Sequence, residues 1–311
     1  MPKFAFSANA FRRYTLLETI GILAGLGYEG IEIMADVPHA FPPHLSDGDF
    51  AAIRHGLSRH HLYVSNINAF MLHAIGDTWR PSWIERDATL RARRVEHTSN
   101  CIDLADKVGA KTISTEPGGP LDGMSPEEAT QLFLEGLRAV ENKARDKGVR
   151  VLIEPEPGLL IESSSQFRQL FEELDPEVFG LNFDVGHFYC VGEDPVGLVW
   201  ELKQLTHHFH LEDISPSRQH YHLMLGEGAI DIHGVLKAIL DTGYDGFVTV
   251  ELYPYEDKPV DAAGRALRYL ESWKHRERSG RESRVASGRT AGRARSFEKQ
   301  DKGLSTTRPL P

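Results

Sequence analysis

The chain has 311 residues, 45 acidic against 35 basic side chains, and a formal net charge of −10. That length suits one large domain of the size of a (β/α)8 barrel, roughly 250 residues, with a core that needs no covalent staples. The acidic balance argues against nucleic acid or an anionic membrane as the main partner, and two cysteines, Cys101 and Cys190, exclude a disulfide framework or a zinc ribbon and read as buried free thiols.

The opening residues, Met1-Pro-Lys-Phe-Ala-Phe-Ser, run directly into a strand pattern without the apolar core of a secretory signal. No run approaches the ~18 apolar residues of a membrane span, so a cytoplasmic protein is expected. The spacing then predicts strands and helices in strict alternation. Strands are predicted at Phe4–Asn9, Gly30–Met34, Val64–Phe70, Thr112–Pro117, Arg150–Glu154, Gly180–Asp184, His208–Glu212 and Phe247–Leu252. Helices are predicted at Thr15–Leu26, Ser46–Arg59, Glu85–Gly109, Ser125–Lys147, Ser164–Leu174, Pro195–Leu202, Ile230–Thr242 and Ala262–Trp273. Ser125-Pro126-Glu127-Glu128 is a strong start signal, a capping residue followed by Pro and acids in the first turn. Gly27, Gly109, Gly148 and Gly243 stand where left-handed residues end helices. Eight consecutive strand–helix pairs without a tight hairpin imply parallel pairing and closure into a single (β/α)8 TIM barrel, taken as residues 1–274.

From His275 to Pro311 the composition changes. This segment carries eight Arg and two Lys against four acids, a net charge of +6 that leaves −16 on the body. It is rich in Ser, Gly and Arg and lacks apolar periodicity. Residues 275–311 are therefore expected to form a disordered basic tail. Arg91, Arg93 and Arg94 are expected on a solvated helix face.

Four metal-capable residues fall at the C-terminal ends of successive predicted strands: Glu154, Asp184, His210 and Glu251. Their spacings of 30, 26 and 41 residues are about one barrel unit each, the last lengthened by the loop Asp213–Gly228. By strand alternation His208 and His210 share one face, as do Thr249 and Glu251, while Val248 and Val250 share the other. Converging carboxylates repel, and a cation is the simplest way to hold them together. Three carboxylates and one imidazole favour one Mn²⁺, Mg²⁺ or Co²⁺ ion over Zn²⁺.

The segments Ile153-Glu154-Pro155, Asp184-Val185-Gly186-His187, His208-Phe209-His210-Leu211-Glu212-Asp213 and Leu225-Gly226-Glu227-Gly228-Ala229-Ile230-Asp231, with Gly243–Gly246 leading to Glu251, resemble the xylose-isomerase-like TIM-barrel superfamily over residues 3–273. The resemblance to its ketose 3-epimerase branch implies metal binding by Glu154, Asp184, His210 and Glu251, an acid/base pair formed by Glu154 and Glu251, and substrate contact by His187. Two substrate-binding positions of that branch hold Leu160 and Pro216 here, so Glu156, Arg218, His220 and His222 are candidates to line a different pocket. His73 and Trp79 are candidates to cover it, and Glu116–Gly119 to wall it; Glu227 is assigned a turn.

A sugar or sugar-phosphate isomerase or epimerase follows from the resemblance, working by proton transfer through a metal-stabilised enediolate. A dehydratase of inosose or dehydroshikimate type shares this chemistry and is the alternative. An endonuclease IV-like hydrolase is disfavoured by Asn66 and Asn68 on the third strand and by the acidic body, and a non-catalytic barrel by the intact quartet. The expected ligand is a small carbohydrate or cyclitol. A homo-oligomer is compatible with the sequence.

Overall fold

The computed structural model describes the backbone of residues 1–297 and the side chains of residues 1–279. Eight parallel strands, β1 (Lys3–Ser7), β2 (Gly30–Met34), β3 (Tyr63–Asn68), β4 (Thr112–Thr115), β5 (Arg150–Ile153), β6 (Phe179–Asp184), β7 (Thr206–Leu211) and β8 (Phe247–Val250), close in sequence order, with β8 paired to β1. The fold is the expected TIM barrel.

The helices between them are α1 (Leu16–Leu26), α2 (Asp47–His60), α3 (Ala88–Val108), α4 (Pro126–Lys147), α5 (Ser164–Phe171), α6 (Val185–Cys190), α7 (Pro195–Leu202) and α8 (Ile232–Asp241). Local chemistry sets their ends. Thr15 with Glu18, and Ser46 with Asp49, form reciprocal capping boxes, and Ser125 caps α4 ahead of Pro126. Gly27, Gly109, Gly148 and Gly243 all take positive φ, as helix-stop residues do. Helix α6 is absent from the predicted set, being one short turn that starts directly on the last residue of β6.

The final helix, α9 (Pro259–Phe297), runs through residues 275–297, part of the segment read from composition as a disordered tail. Arg, the commonest residue there, is a good helix former. The remainder of that segment, 298–311, lies outside the described residues. The chain divides into two compact units after Leu267, inside α9. No helix among the described residues is long and apolar enough to cross a membrane.

Alternation inside the barrel follows the sequence pattern. Val248 and Val250 are buried on the helix-facing side, while the Thr249 hydroxyl donates to Ser65 Oγ at 3.0 Å across the interior. Below the C-terminal mouth the interior is polar rather than the usual branched aliphatic layer. Asn66 donates to Glu32 Oε1 (2.9 Å) and Ser114 Oγ (2.9 Å), and His208 bridges Asn182 Oδ1 and Thr249 Oγ1 at 2.7 Å each.

Two expectations are corrected. Arg94 is not solvated: it is fully buried, and its guanidinium donates to the carbonyls of Pro81 (2.8 Å), Ala69 (3.2 Å) and Phe70 (2.9 Å). It shares the buried stripe of α3 with His97, Thr98, Cys101 and Ala105, at helical spacing. Cys101 is buried as expected, but Cys190, at the end of α6, is only half-buried.

Candidate metal centre and its cavity

Glu154 and Glu251 directly follow β5 and β8, Asp184 ends β6, and His210 lies within β7. One ligand atom from each lies within 4.8 Å of the others, and all four residues are buried. The barrel thus brings together the four residues singled out in the sequence.

Each of the three carboxylates has one oxygen held by a neighbouring group and one left over, while His210 is engaged at both ring nitrogens. Asp184 caps α6, Oδ1 accepting from the His187 amide at 2.7 Å, which leaves Oδ2 buried without a partner. The close approach of Glu212 to α6 requires Gly186: its N–H donates to Glu212 Oε1 at 2.5 Å, and a Cβ there would fall 2.3 Å from that oxygen. His210 donates from Nε2 to Glu32 Oε1 at 2.7 Å, while Nδ1 faces Glu154 Oε1 (2.8 Å), Glu251 Oε2 (3.5 Å) and Asp184 Oδ2 (3.7 Å). Glu154 Oε2 is buried and unpartnered. Glu251 Oε1 accepts from Asn9 Nδ2 at 2.8 Å, and Asn68 Nδ2 approaches it at 3.4 Å.

The electrostatics fit a cation. Burial works against charge on His210, but the carboxylates of Glu251, Glu32 and Glu154 outweigh it and hold its pKa well above the ordinary imidazole range. Burial would likewise raise Glu32, yet the His210 charge and hydrogen bond bring it down to about 2. Burial, and then the neighbouring carboxylates, push Glu251 well up; Glu154 is raised by burial against the pull of His210. A protonated His210 is therefore a positive charge that these acids share, and orphaned Glu154 Oε2 and Asp184 Oδ2 are spare donors for an ion.

Above the quartet a cavity of about 520 Å³ opens. Glu154, Glu156, His187, His220, His222 and Glu251 line it, and so do His73 and Trp79 from the loop after β3. Phe70, Met71, Tyr221 and Tyr253 add an apolar rim. His187 donates from Nδ1 to Pro155 O (2.8 Å) and His222 from Nδ1 to Glu251 O (2.9 Å), so both rings present a bare Nε2. His220 Nε2 lies between them, at 3.0 Å from His187 Nε2 and 3.3 Å from His222 Nε2. Burial depresses all three, His222 to about 3. These nitrogens form another set that could hold an ion or accept substrate hydroxyls. Glu156, raised well above the usual carboxylate range by burial, stands with Oε1 3.8 Å from His220 Nδ1.

Other candidates sit elsewhere. Arg218, in a left-handed turn (φ 58°), lays its guanidinium on the Tyr189 ring and donates to Tyr189 O, and it is not among the residues lining the cavity. Glu116 does not wall the cavity: it accepts from Trp83 N (3.0 Å) and Gly118 N (2.7 Å) beside Arg94. Glu227 pairs with Arg265 at a turn. Sequence reasoning passed over Asn9, Asn68 and the orienting role of Glu32. It also missed Asp213, whose carboxylate accepts from the amides of Ile214, Gly226, Gly228 and Ile230 and folds the β7 loop.

A family model described as xylose isomerase-like TIM barrel matches residues 20–273. The chain belongs to the xylose isomerase-like TIM barrel family. Among curated relatives, the inosose dehydratase of Lacticaseibacillus casei is 23% identical over 293 residues, spanning 84% of this chain and 90% of that one. Among solved structures, a D-tagatose 3-epimerase-like protein superposes with a TM-score of 0.75 at 20% identity, covering 88% of this chain and 97% of that one. The IolI protein, solved with a bound zinc atom, gives 0.73 at 18%, covering 87% and 97%. At such identities the structural matches establish the fold.

Proposed function

We propose that this xylose isomerase-like barrel is a divalent-metal enzyme that removes a proton α to the ketone of a polyhydroxylated ring, a keto-cyclitol or keto-sugar, and eliminates the β-hydroxyl as water. The observation that carries this is the quartet itself: four buried ligands whose spare atoms converge on one point at the floor of a sugar-sized cavity. Three carboxylates and an imidazole suit Mn²⁺, Mg²⁺ or Co²⁺. The bound ion would supply Lewis-acid stabilisation of the oxyanion that develops as the proton leaves.

The chain's own residues do the rest. Glu154 and Glu251 both line the cavity. One accepts the α-proton; the other gives the proton with which the β-hydroxyl departs. Asp184 and His210 are locked by α6 and by Glu32, so the site is organised before substrate enters. His187, His222 and Glu156 offer polar contacts for ring hydroxyls. The two ends of the loop after β3 are tied down by Arg94, and its Trp79 and Phe70 line the cavity, where they would shield it from water.

Elimination is placed first because the inosose dehydratase of Lacticaseibacillus casei aligns along most of both chains. A second reading, isomerisation or epimerisation, is favoured by the pair Glu154 and Glu251 at one ion site, since two carboxylates can remove and return a proton. Incubation of the Mn²⁺-loaded protein with 2-keto-myo-inositol in D₂O, followed by proton NMR, separates them. An α-hydroxyenone, or the 1,2-dione to which it tautomerises, supports elimination. Deuterium uptake without it, accompanied by a new stereoisomer or aldose, supports proton return. Neither reaction, across a panel of ketoses and keto-cyclitols, would sink the enediolate reading.

A further inference from the structure

Three of the four ligands are fixed by groups whose purpose is plain: Asp184 by a helix amide, His210 by Glu32, Glu154 by its contact with His210. Glu251 is different. Its backbone N–H is taken by Leu211 O and its carbonyl by His222. Its carboxylate, however, is held by two amides from other strands. Asn9 stands in the 3₁₀ turn Ala8–Ala10 that follows β1, the strand paired with β8. Asn68 ends β3.

Both amides are buried, Asn9 to 3% exposure and Asn68 to 2%. With Glu251 ionised, the form that can hold an ion, its oxygens only accept, and Nδ2 of Asn9 then faces Oε1 at 2.8 Å. The Asn9 oxygen is consequently left buried without a partner. That arrangement uses up Oε1 and turns Oε2 toward His210 Nδ1, where the other spare ligand atoms meet. An amide is the right group for this task. A Lys or Arg at the same place would neutralise Glu251 and cancel its pull on a cation, whereas an amide donates without bringing charge.

We propose that Asn9 is a positioning residue of this centre: it fixes Glu251 Oε1 so that Oε2 is presented to the ion, with Asn68 as a weaker second support. The inference rests on the metal reading above. It assigns Asn9 no contact with the ion and no part in proton transfer. The contact lengths order the two amides, since 2.8 Å is a full hydrogen bond and 3.4 Å a marginal one.

The test is calorimetric titration of Mn²⁺ into the metal-stripped full chain, with Co²⁺ visible spectra as a geometric readout. Partners that orient ligands typically carry 10–100-fold in metal affinity, so Asn9→Ala should weaken Mn²⁺ binding by about tenfold or more and change the Co²⁺ bands. Asn68→Ala should cost less. Asn9→Asp, of nearly the same shape, should also bind more weakly despite its added negative charge, because an ionised carboxylate cannot donate to Glu251; it keeps the test open should the Ala variant fail to fold. Equal affinity and an unchanged Co²⁺ spectrum in Asn9→Ala would overturn the positioning role. Tighter binding by Asn9→Asp would overturn it in favour of plain charge attraction. A wild-type chain that binds neither ion would bring down the metal reading and this inference together, an outcome distinct from both.

Discussion

Metal uptake should expel protons, and the number can be worked from the site. Without an ion, His210 lies between Glu32 Oε1 at 2.7 Å and Glu154 Oε1 at 2.8 Å, an arrangement that wants a proton on both ring nitrogens. Its pKa is accordingly held well above the ordinary value. Coordination through Nδ1 must remove one of those protons, and Glu251, raised by burial, adds a further fraction. At least one proton should therefore leave per ion near pH 7, which tightens binding about tenfold, or about 1.4 kcal/mol, for each unit of rising pH. Calorimetry of Mn²⁺ binding in buffers of different ionisation enthalpy counts the protons directly. The same shifts set the stability of the metal-free chain. Raised values on His210, Glu154 and Glu251 contribute stability that is complete below their unfolded pKa values and lost as pH rises through the folded ones. Glu32, depressed to about 2, acts oppositely and loses its contribution only in strong acid. Above neutral pH the metal-free protein should thus melt progressively lower, and the ion should raise its melting temperature most there. Binding heats that ignore the buffer, with an affinity flat from pH 6 to 8, would refute the protonated-His210 account.

Three further outcomes are expected. Glu251→Gln should preserve the circular dichroism spectrum but lower turnover by at least about 10³-fold in the D₂O exchange assay, in line with loss of an acid/base group; near-normal exchange would remove Glu251 from the chemistry. Arg94→Met leaves three carbonyls without their donor and Glu116 without its counter-ion. Because burial already lifts Glu116 to about 7 against the pull of Arg94, that acid can neutralise itself, so the cost should stand near the low end for a broken buried pair, about 3 kcal/mol in urea denaturation. Deleting residues 276–311 should leave Mn²⁺ affinity and turnover within about twofold, as for a terminal appendage that carries no part of the site; a large loss in either titration or assay would give that segment a role.

The convergence of Glu154, Asp184, His210 and Glu251 was legible because barrel geometry turns sequence spacing into position. A residue that ends a strand must stand at the mouth, and four such residues one unit apart must converge. His73 and Trp79 were legible for the same reason, as occupants of a loop at that face. What was not legible is whatever depends on side chains crossing the barrel. Asn9 meets Glu251 over 242 positions of sequence, and His210 meets Glu32 over 178. No local pattern marks an asparagine or a second-strand glutamate for such a partner, and Glu32 fixes the ring that presents Nδ1.

Arg94 is the opposite case, because its signal was present. Counting from Arg94, residues 97, 98, 101, 105 and 108 keep helical spacing, and all are buried, which places the arginine on the inward stripe. The charge run Arg91–Arg94 obscured that phase. Arg91 reaches only the carbonyls of Glu85 and Arg86 at the helix entrance, while Arg94 ties together the loop that walls the cavity. Helical phase ranks above charge density when one member of a basic run is assigned to solvent or core, since a buried guanidinium that finds several acceptors, as Arg94 does through Nε and Nη1 though not through Nη2, can be retained where an unpaired one cannot. The same preference for geometry over residue class applies at Arg218: its place on the β7 loop suggested a substrate contact, but a left-handed backbone turn carries its side chain onto Tyr189. Arg218 is thus removed from the cavity, whose polar lining instead includes Arg12 together with His187, His220, His222 and Glu156, and a substrate for this site should meet the bare nitrogens of neutral imidazoles with its hydroxyls.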